Sequence, residues 1–297
     1  MSVIRIGTRG SKLALAQTKR VVDLLAANGV EAEVEIISTR GDRVTDKALH
    51  EAGGYGLFVR ELDNAILDGR IDAAVHSMKD IPAERPKGIS LAAVLRRDPP
   101  FDFLAVEKPL EEVFSIGTSS LRRRAQLLRY YYKYPEMHVS NLRGNIDTRL
   151  AKLEAGEYDA IVLAEAALVR LGIHAHGFRL PADAFVPAPN QGAIAVVSRD
   201  NEEIREAFAP LNDVQTAFDT AAERAVMEEI GGGCFTPQGV YCQGGHILAE
   251  VLSLDGKRAR RVEGQVFSIE EARAVGRALR EEAADLIEEA RRTAEGE

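Results

Sequence analysis

Hydrophobic and polar positions in the first part of the chain alternate between short β-branched runs and longer segments with helical spacing. The run Val3–Ile6 predicts a strand, and a helix with Ser11 as its N-cap follows and ends at Asn28-Gly29. Further strands are predicted at 34–37 and 71–75, with a helix at 57–67 between them. Strand, helix and strand at this spacing predict a right-handed crossover in a largely parallel sheet.

A second segment repeats this arrangement. A strand at 114–116 leads into Gly117-Thr118-Ser119-Ser120 and a helix that begins near Leu121. Residues 156–162 resemble residues 69–75 at an offset of 87, whereas the two Gly-Thr turns lie 110 residues apart, so the self-similarity is weak. It predicts two related α/β domains side by side, with a cleft between them of the kind in which ligands usually bind.

The last third of the chain has a different pattern. Prolines at 181, 187 and 189 precede an apolar strand at 193–197, which suggests a crossing between domains. After it, the pattern predicts a helix at 218–230, strands at 240–241 and 247–254, and one last helix that begins at a capping box of Ser268 and Glu271. This part is predicted to be a small α+β domain.

Composition narrows the class of protein. The 297 residues suffice for two or three domains, and 46 acidic against 38 basic side chains leave a net charge of −8, which argues against sequence-independent nucleic-acid binding. Nowhere does an apolar stretch approach the roughly 18 residues of a membrane span. The first residues lack the basic-then-apolar build of a signal peptide, and two cysteines are too few for a disulfide framework. We predict a cytosolic enzyme.

Arginine-rich turns stand out in this acidic chain. They lie at Arg9, at Arg122, Arg123 and Arg124, and at Arg143 and Arg149, each beside a predicted helix start. Free backbone N–H groups at a helix start favour anions, and the planar guanidinium group suits carboxylates. A single arginine of this kind is most simply a surface charge paired with an acid. Three such turns together favour a pocket for carboxylates or phosphates.

Two further residues are candidates for chemistry. Asp80 lies just after the buried strand 71–75, where side chains point into the ligand crevice of an α/β sheet, and its carboxylate is suited to general acid–base work or to stabilising a cation. It is equally well explained as a turn residue paired with Lys79. Cys234 follows three glycines, which leave its sulfur sterically accessible, although a cysteine is more often a small buried hydrophobe. Cys234 and Cys242 without a close histidine pair make a poor zinc site, so no metal is predicted.

Taken together, the motifs closely resemble the hydroxymethylbilane synthase (porphobilinogen deaminase) family and span nearly the whole chain. The matching runs, in the family's order, are Arg5–Ser11, Leu13–Gln17, Thr39–Asp42, Gly56–Phe58, Val75–Asp80, Gly117–Arg123, Leu142–Asn145, Thr148–Leu150, Gln191–Ala193, Glu223–Ala225 and Gly232–Cys234. The resemblance implies an α/β enzyme with two periplasmic-binding-protein-like domains, a cleft between them, and a small C-terminal α+β domain. On this chain, domain 1 would comprise 1–96 and 190–213, domain 2 97–189, and domain 3 214–297.

The resemblance also implies the reaction and its residues. Four porphobilinogen molecules are joined head to tail with loss of ammonia, and hydrolysis frees hydroxymethylbilane for tetrapyrrole biosynthesis. The family's dipyrromethane cofactor would be attached to Cys234 by a thioether, and Asp80 would be the catalytic carboxylate. Residues matching those that hold the cofactor's acidic side chains are Lys79, Ser119, Arg122 and Arg123; those around substrate and growing chain are Arg9, Ser11, Gln17, Arg143, Arg149 and Arg170.

The sequence departs from the family pattern in two places. Tyr55 and Glu51 stand where relatives usually have lysines, so closure of the loop 43–56 is expected to differ. In Asp98-Pro99-Pro100-Phe101-Asp102, the arginine of the usual Asp-Pro-Arg-Asp run is missing from its position. Neither change touches Asp80 or Cys234, and the enzyme assignment stands.

Two other classes of protein fit part of the pattern. A two-domain binding module for an acidic ligand would explain the duplicated α/β halves and the arginines, but not the glycine-cysteine loop or a third domain. A regulator whose C-terminal domain contacts partners would need more than the ordinary amphipathic pattern of the final helix. The expectation is therefore a monomeric, cytoplasmic enzyme that acts on porphobilinogen, without a nucleic-acid or membrane partner.

Overall fold

The computed structural model describes residues 3–38, 59–82, 85–130 and 136–296, and the side chain of Cys234 lies outside this description. The chain divides into two compact units. Unit 1 comprises Met1–Asp98, Val169–Leu171 and Gly192–Phe218. Unit 2 comprises Pro99–Leu168, Gly172–Gln191 and Asp219–Glu297. The three domain boundaries predicted from the sequence stay a prediction.

Strands and α-helices are mixed along the described chain, and the C-terminal part ends in two helices. In chain order they are β1 (Ile4–Thr8), α1 (Lys12–Ala27), β2 (Ala32–Ile36), α2 (Arg60–Leu67), β3 (Ala73–Ser77), β4 (Ile89–Val94), β5 (Asp102–Val106), β6 (Ser115–Gly117), α3 (Leu121–Tyr130), β7 (His138–Ser140), α4 (Ile146–Glu154), β8 (Ala160–Ala164), α5 (Glu165–Leu171), β9 (Gly177–Leu180), β10 (Ile194–Arg199), α6 (Glu202–Phe208), α7 (Val214–Ile230), β11 (Gln238–Gln243), β12 (His246–Leu252), β13 (Ala259–Gln265), α8 (Ile269–Glu282) and α9 (Ala284–Glu295).

Unit 1 is built on a five-stranded mixed sheet in the order β2-β1-β3-β10-β4. β1 pairs in parallel with β2 and β3, as the strand-helix-strand pattern predicts. β10 runs antiparallel to both β3 and β4, so the expected largely parallel sheet is only half parallel. The reason is connectivity: β10 rejoins the sheet from a distant part of the chain, and no local crossover requires it to be parallel.

Both faces of this sheet are covered by apolar side chains. On one face Val21 and Leu25 of α1 pack with Ile6 of β1 in one core cluster, and on the other Leu62 and Ile66 of α2 belong to a second cluster. α1 begins where predicted, because the Ser11 hydroxyl accepts a hydrogen bond from the backbone N–H of Ala14 (3.3 Å). Each of these buried aliphatic side chains contributes about 1.5–3 kcal/mol by leaving water.

The sheet of unit 2 repeats the arrangement of the first. Its order is β7-β6-β8-β5-β9, with β6 parallel to β7 and β8, and β5 antiparallel to β8 and β9. The five strands therefore correspond one to one in position and direction with those of unit 1. Gly7 and Gly117 lie near the ends of equivalent strands, and a Cβ at either would meet a neighbouring side chain, that of Ile71 or that of Leu142. The repeat predicted from the sequence is confirmed as a repeat of topology.

The C-terminal part has an antiparallel three-stranded sheet, β11-β12-β13, packed against helices through Val226, Ile247, Leu279 and Leu286. The prediction of one last helix is wrong, because α8 ends at Glu282 and α9 begins at Ala284, with Ala283 between them. Ala283 is fully buried in this core and its backbone leaves helical geometry. The bend at this residue lets the apolar stripes of both helices face the same core. The fold class, α/β with a small α+β part, is confirmed.

Candidate active site

Asp80 occupies a single turn at the end of the central strand of unit 1. β3 passes directly into a 3-10 turn, Met78–Asp80, whose first backbone N–H donates to the carbonyl of Ala193 (3.0 Å). The turn closes when the N–H of Ile81 donates to the carbonyl of Met78 (3.2 Å). Because β3 lies between β1 and β10, the turn sits at the middle of one sheet edge. This is the position that the sequence predicts for a reactive carboxylate.

The charges around Asp80 belong to residues that the sequence singled out. Burial raises the pKa of Asp80 above the ordinary value for aspartate, and the positive charges of Lys79, Arg9 and Arg170 act in the opposite direction. Its carboxylate is half-buried. A half-buried carboxylate with a raised pKa and three cations within electrostatic reach is suited to proton transfer, and as an anion it can stabilise a developing cation.

Arg170 is held rigidly in unit 1. Its Nε donates to Asp98 Oδ2 and its Nη2 to the Gly192 carbonyl, both at 2.7 Å, and only 7% of its side chain is exposed. Arg20 contacts the other oxygen of Asp98, also at 2.7 Å. Asp98 thus forms ion pairs with two arginines, and the three side chains together carry a net charge of +1.

Two other predicted substrate residues of unit 1 have structural partners. Gln17 is buried on α1 and donates from Nε2 to the hydroxyl of Ser77, at the end of β3 (2.7 Å). Ser77 directly precedes the turn that carries Asp80. Ser11 caps α1, which is sufficient by itself to explain a serine at this position. The structure therefore brings Gln17 to the Asp80 segment, while Ser11 stands at a helix start.

In unit 2, Arg122 and Arg123 form a buried cluster around Asp102. The two arginines are each 6% exposed and Asp102 is fully buried on β5. Arg122 Nη1 lies 2.8 Å from Asp102 Oδ2, and Arg123 contacts Oδ1 through Nη2 (2.7 Å) and Nε (2.9 Å). Despite burial, the two guanidinium groups hold the pKa of Asp102 well below its ordinary value. Gln191 adds a further hydrogen bond to Oδ1 at 3.1 Å.

The two arginines, which the sequence assigns to a pocket for carboxylates or phosphates, are also bound by backbone carbonyl groups. Arg122 also donates to the carbonyl of Val186 (2.7 Å) and Arg123 to that of Val162 (2.9 Å). Asp102 and Gln191 are the residues that motif reasoning missed as partners. A charged residue within the apolar run of β5 was the available signal, because a buried carboxylate requires a partner.

Arg149 and Arg143 extend the positive charge of unit 2. Arg149 lies on the first turns of α4 and donates from Nε to the carbonyl of Gly144 (2.8 Å). Burial, together with the like charges of Arg123 and Arg143, lowers the pKa of Arg149 to about 10. No carboxylate in the described part of the chain offsets this effect on Arg149. Uncompensated guanidinium charge of this kind favours binding of a polyanion.

Ser119 is exposed in the turn that precedes α3. The same turn is internally bonded, since the Thr118 hydroxyl accepts from the Ser120 N–H (3.2 Å) and the Ser120 hydroxyl from the Arg123 N–H (3.4 Å). Ser119 therefore remains at the surface of a turn that other residues hold in shape.

The two cysteines stand in different surroundings. The backbone of Cys234 is in a 3-10 turn, Gly233–Phe235, after three glycines that all have positive φ (70°, 76° and 60°). Gly232 has a second reason to be glycine, because a Cβ at this position would also meet the side chain of Thr236. Cys242 is buried, and burial together with Asp219 and Glu223 raises the pKa of its thiol far above the ordinary value. Cys242 is thus a core residue with an unreactive thiol.

Several predictions fall outside the described residues or find nothing there. Tyr55, Glu51 and the loop 43–56 lie outside them. Among the residues that the structure describes, no group of three or more histidine, cysteine or acidic side chains is arranged to hold a metal ion. None of the helices in the described segments has the length and apolar composition to cross a membrane.

Comparison with known proteins decides the family. A family model described as "Porphobilinogen deaminase, dipyromethane cofactor binding domain" matches residues 4–206, and the C-terminal domain model of the same enzyme matches 217–285. The chain belongs to the porphobilinogen deaminase family. A probable porphobilinogen deaminase of Methanosarcina mazei is 50% identical over 289 residues, covering 92% of this chain and 90% of the relative. The porphobilinogen deaminase of Legionella pneumophila is 46% identical over 270 residues, covering 86% of each.

Solved structures with a similar arrangement are more distant. A periplasmic substrate-binding protein from Coxiella burnetii matches 75% of this chain and 97% of its own, with 13% identity and a TM-score of 0.43. Family membership makes the chain a transferase of tetrapyrrole biosynthesis, a hydroxymethylbilane synthase with porphobilinogen as substrate and a dipyrromethane cofactor.

The residues of unit 2 fit such a cofactor. Each porphobilinogen-derived pyrrole carries an acetate and a propionate, so two linked rings bring four carboxylates. The cluster of Arg122, Arg123 and Asp102 has two positive charges for one negative charge. Arg149, which is assigned to the substrate and growing chain, adds positive charge to the same unit, and its pKa is lowered by burial and by its cationic neighbours, so an approaching carboxylate stabilises its charged form. Unit 2 therefore contributes positive charge that suits a tetracarboxylate.

Proposed function

We propose that this chain joins four porphobilinogen molecules head to tail, with Asp80 as the catalytic carboxylate. The observation that carries the proposal is the Asp80 turn of unit 1, where burial raises the pKa of the carboxylate while Lys79, Arg9 and Arg170 oppose the shift. Loss of ammonia breaks the bond between the substrate's aminomethyl carbon and nitrogen and leaves a positive charge on the pyrrole. An adjacent carboxylate stabilises this charge, and it can take up a proton that the condensation releases.

The cationic residues have a different role in this proposal. Arg9, Arg143, Arg149 and Arg170 bind the acetate and propionate groups of the substrate and growing chain, while Ser11 and Gln17 contribute at the start of α1 and beside Ser77. Each charge-assisted contact is worth about 1.5–3 kcal/mol. A chain that gains two negative charges per addition requires such contacts inside a protein whose net charge is −8. These groups orient the substrate, so their loss acts mainly on KM.

We propose Cys234 as the attachment point of the cofactor and Lys79, Ser119, Arg122 and Arg123 as the groups that hold its carboxylates. When bound, the dipyrromethane supplies the primer on which the chain is extended. Support comes from the three left-handed glycines before Cys234, which form a turn that few other residues could adopt, and from the burial of Cys242. The Lys79 ammonium follows β3 in unit 1, beside Asp80.

The attachment is tested by intact mass of the protein as isolated. The wild type is expected to be heavier than its sequence by two pyrrole units, and Cys234→Ala to fold but to have the sequence mass. A Cys234→Ala protein with the full cofactor mass would refute the attachment site.

The catalytic role is tested by incubation with porphobilinogen, following ammonia release and formation of the linear tetrapyrrole. Wild-type protein should release ammonia, whereas Asp80→Asn should bind pyrrole chains but turn over at least about 100-fold more slowly. Retention of bound pyrroles, measured by mass, separates loss of catalysis from loss of binding. Turnover by Asp80→Asn close to that of wild type would remove Asp80 from the mechanism.

We further propose a monomer that acts in the cytoplasm without nucleic-acid or membrane partners. The acidic composition, with a pI near 5.5, supports the absence of nucleic-acid binding. Light scattering during size-exclusion chromatography should give a mass near 32.4 kDa plus the cofactor. A mass of twice this value would contradict the monomer.

A further inference from the structure

The chain that follows the proposed catalytic turn is fixed to helix α2 by a buried ion pair. Arg85, five residues after Asp80, places Nη2 2.5 Å from Oδ1 of Asp63. The exposed fractions of the two side chains are 15% and 5%. Asp63 lies on α2, whose apolar side packs in the same core cluster as Met78 and Ile81, the residues at either end of the turn. The ion pair and this packing therefore hold the same short segment.

The pair stands in surroundings that penalise charge. Burial raises the pKa of Asp63 to about 6, and the positive charge of Arg85 acts against this shift. His76, four residues before Asp80, is buried, and its pKa is lowered to about 3 by burial and by the charges of Arg85 and Arg9. The imidazole is therefore neutral at physiological pH and cannot replace Arg85 as a cationic partner. The positive charge of Arg85 therefore stabilises the negative charge of the buried Asp63 carboxylate.

Such a pair is weak evidence for stability, because replacing a buried ion pair by neutral groups of similar shape is often neutral or stabilising. What a buried pair supplies with more certainty is a defined geometry, since both charges are satisfied only in one arrangement. Here the defined geometry is that of the residues on either side of Asp80. Its upstream end is already fixed by β3 and by the hydrogen bond from Met78 to Ala193.

We propose that Asp63 and Arg85 are a positioning pair, which sets the orientation of the Asp80 carboxylate by anchoring the chain after the turn to helix α2. The proposal rests on the proposed catalytic role of Asp80. Neither residue of the pair touches the substrate in this account. A displacement of about 1 Å at a reacting group lowers turnover by up to about 100-fold. A pair that fixes the position of Asp80 therefore affects kcat.

The test is steady-state kinetics with porphobilinogen, using the cofactor-loaded protein. Asp63→Asn preserves the shape of the side chain and removes its charge, and is expected to lower kcat about tenfold with KM within about twofold of wild type. Because Arg85 then loses its buried partner, the melting temperature should fall, and kcat is therefore measured at a temperature at which all variants are folded. Asp63→Glu restores the carboxylate and should recover most of kcat, a rescue that a merely structural role does not predict.

A second variant and a matched control complete the design. Arg85→Gln should reproduce the loss of kcat, so the test survives if one variant folds poorly. Asp23→Asn is the same chemical change on α1, where Asp23 forms an exposed pair with Lys19 at 2.7 Å, and should leave kcat unchanged. A kcat within about twofold of wild type in both Asp63→Asn and Arg85→Gln overturns the proposal. So does a loss of kcat in these variants that Asp63→Glu fails to reverse.

The same kinetic measurements distinguish failure of the positioning pair from failure of the proposed catalytic role of Asp80. An inactive wild type, or an Asp80→Asn variant as active as wild type, refutes the catalytic role of Asp80 and the positioning pair with it. An active wild type, a slow Asp80→Asn and a fully active Asp63→Asn refute the positioning pair alone.

Discussion

Replacing Asp102 by asparagine should destabilise unit 2 strongly. Asp102 is fully buried and is the carboxylate shared by Arg122 and Arg123, with contacts of 2.8, 2.7 and 2.9 Å, and it also accepts from Gln191 at 3.1 Å. An asparagine side chain keeps one oxygen, but its amide group would point hydrogens at a guanidinium group. Both buried guanidinium groups then lose their only negatively charged partner in this cluster.

The magnitude follows from the geometry of this cluster. Removing one partner of a buried ion pair destabilises a protein by about 3–5 kcal/mol. For a folding unit of this size each kcal/mol corresponds to about 2–4 °C, so the melting temperature should fall by about 6–20 °C. The pKa of Asp102 in the folded protein lies below its ordinary value. The stabilisation that the carboxylate provides is therefore fully present above about pH 4, the pKa of an aspartate in the unfolded chain, and it declines as the pH falls below that pKa.

Thermal unfolding of the cofactor-loaded protein, followed by calorimetry, measures this effect. Asp183→Asn is a suitable control, because Asp183 is exposed in the same unit and its replacement should change stability by less than about 0.5 kcal/mol. If Asp102→Asn melts within about 2 °C of wild type, the carboxylate does not balance the two guanidinium groups, and the account of the cluster is wrong.

Three other expectations concern single side chains. Cys242→Ala should keep the full cofactor mass while losing about 1 kcal/mol of stability, because its thiol is buried; a protein lacking the cofactor would contradict the assignment to Cys234. Arg149→Gln should raise KM about tenfold or more with a smaller effect on kcat, and an unchanged KM would exclude a substrate contact. Asp159, which Lys108 and backbone N–H groups hold at a pKa of about 2, should contribute about 2 kcal/mol above pH 5 that is lost as the pH falls toward 2; an acid-unfolding profile identical in Asp159→Asn would contradict this.

Much of the fold could be predicted because its signals are local. The hydroxyl of Ser11, the apolar spacing along α1 and the left-handed Gly29 define one helix within twenty residues, and the structure agrees. The repeat at an offset of 87 residues pointed to two similar sheets, since equivalent strands need equivalent neighbours. The direction of β10 was not accessible in this way, because pairing between distant segments leaves no mark on local periodicity.

The sequence proposes residues for the site but not their partners. Asp80 is proposed from its place after an apolar strand together with the family resemblance, and the structure adds the positive charges that act on its pKa. Arg122 and Arg123 were expected in a pocket for carboxylates or phosphates, and in the structure Asp102 and backbone carbonyls occupy much of their hydrogen-bonding capacity. Such pairings join residues that are distant in the sequence and lie on different elements, and no rule of spacing reveals them.

The duplicated sheet has one further consequence. The residue 87 positions after Asp80 is Ala167, a buried methyl group on α5, where the chain runs directly from strand into helix instead of forming a 3-10 turn. Of two copies of one architecture, only the first holds an acid at this point. Under the proposed role of Asp80, all four additions use this one carboxylate, so the lengthening chain has to move relative to it after each addition.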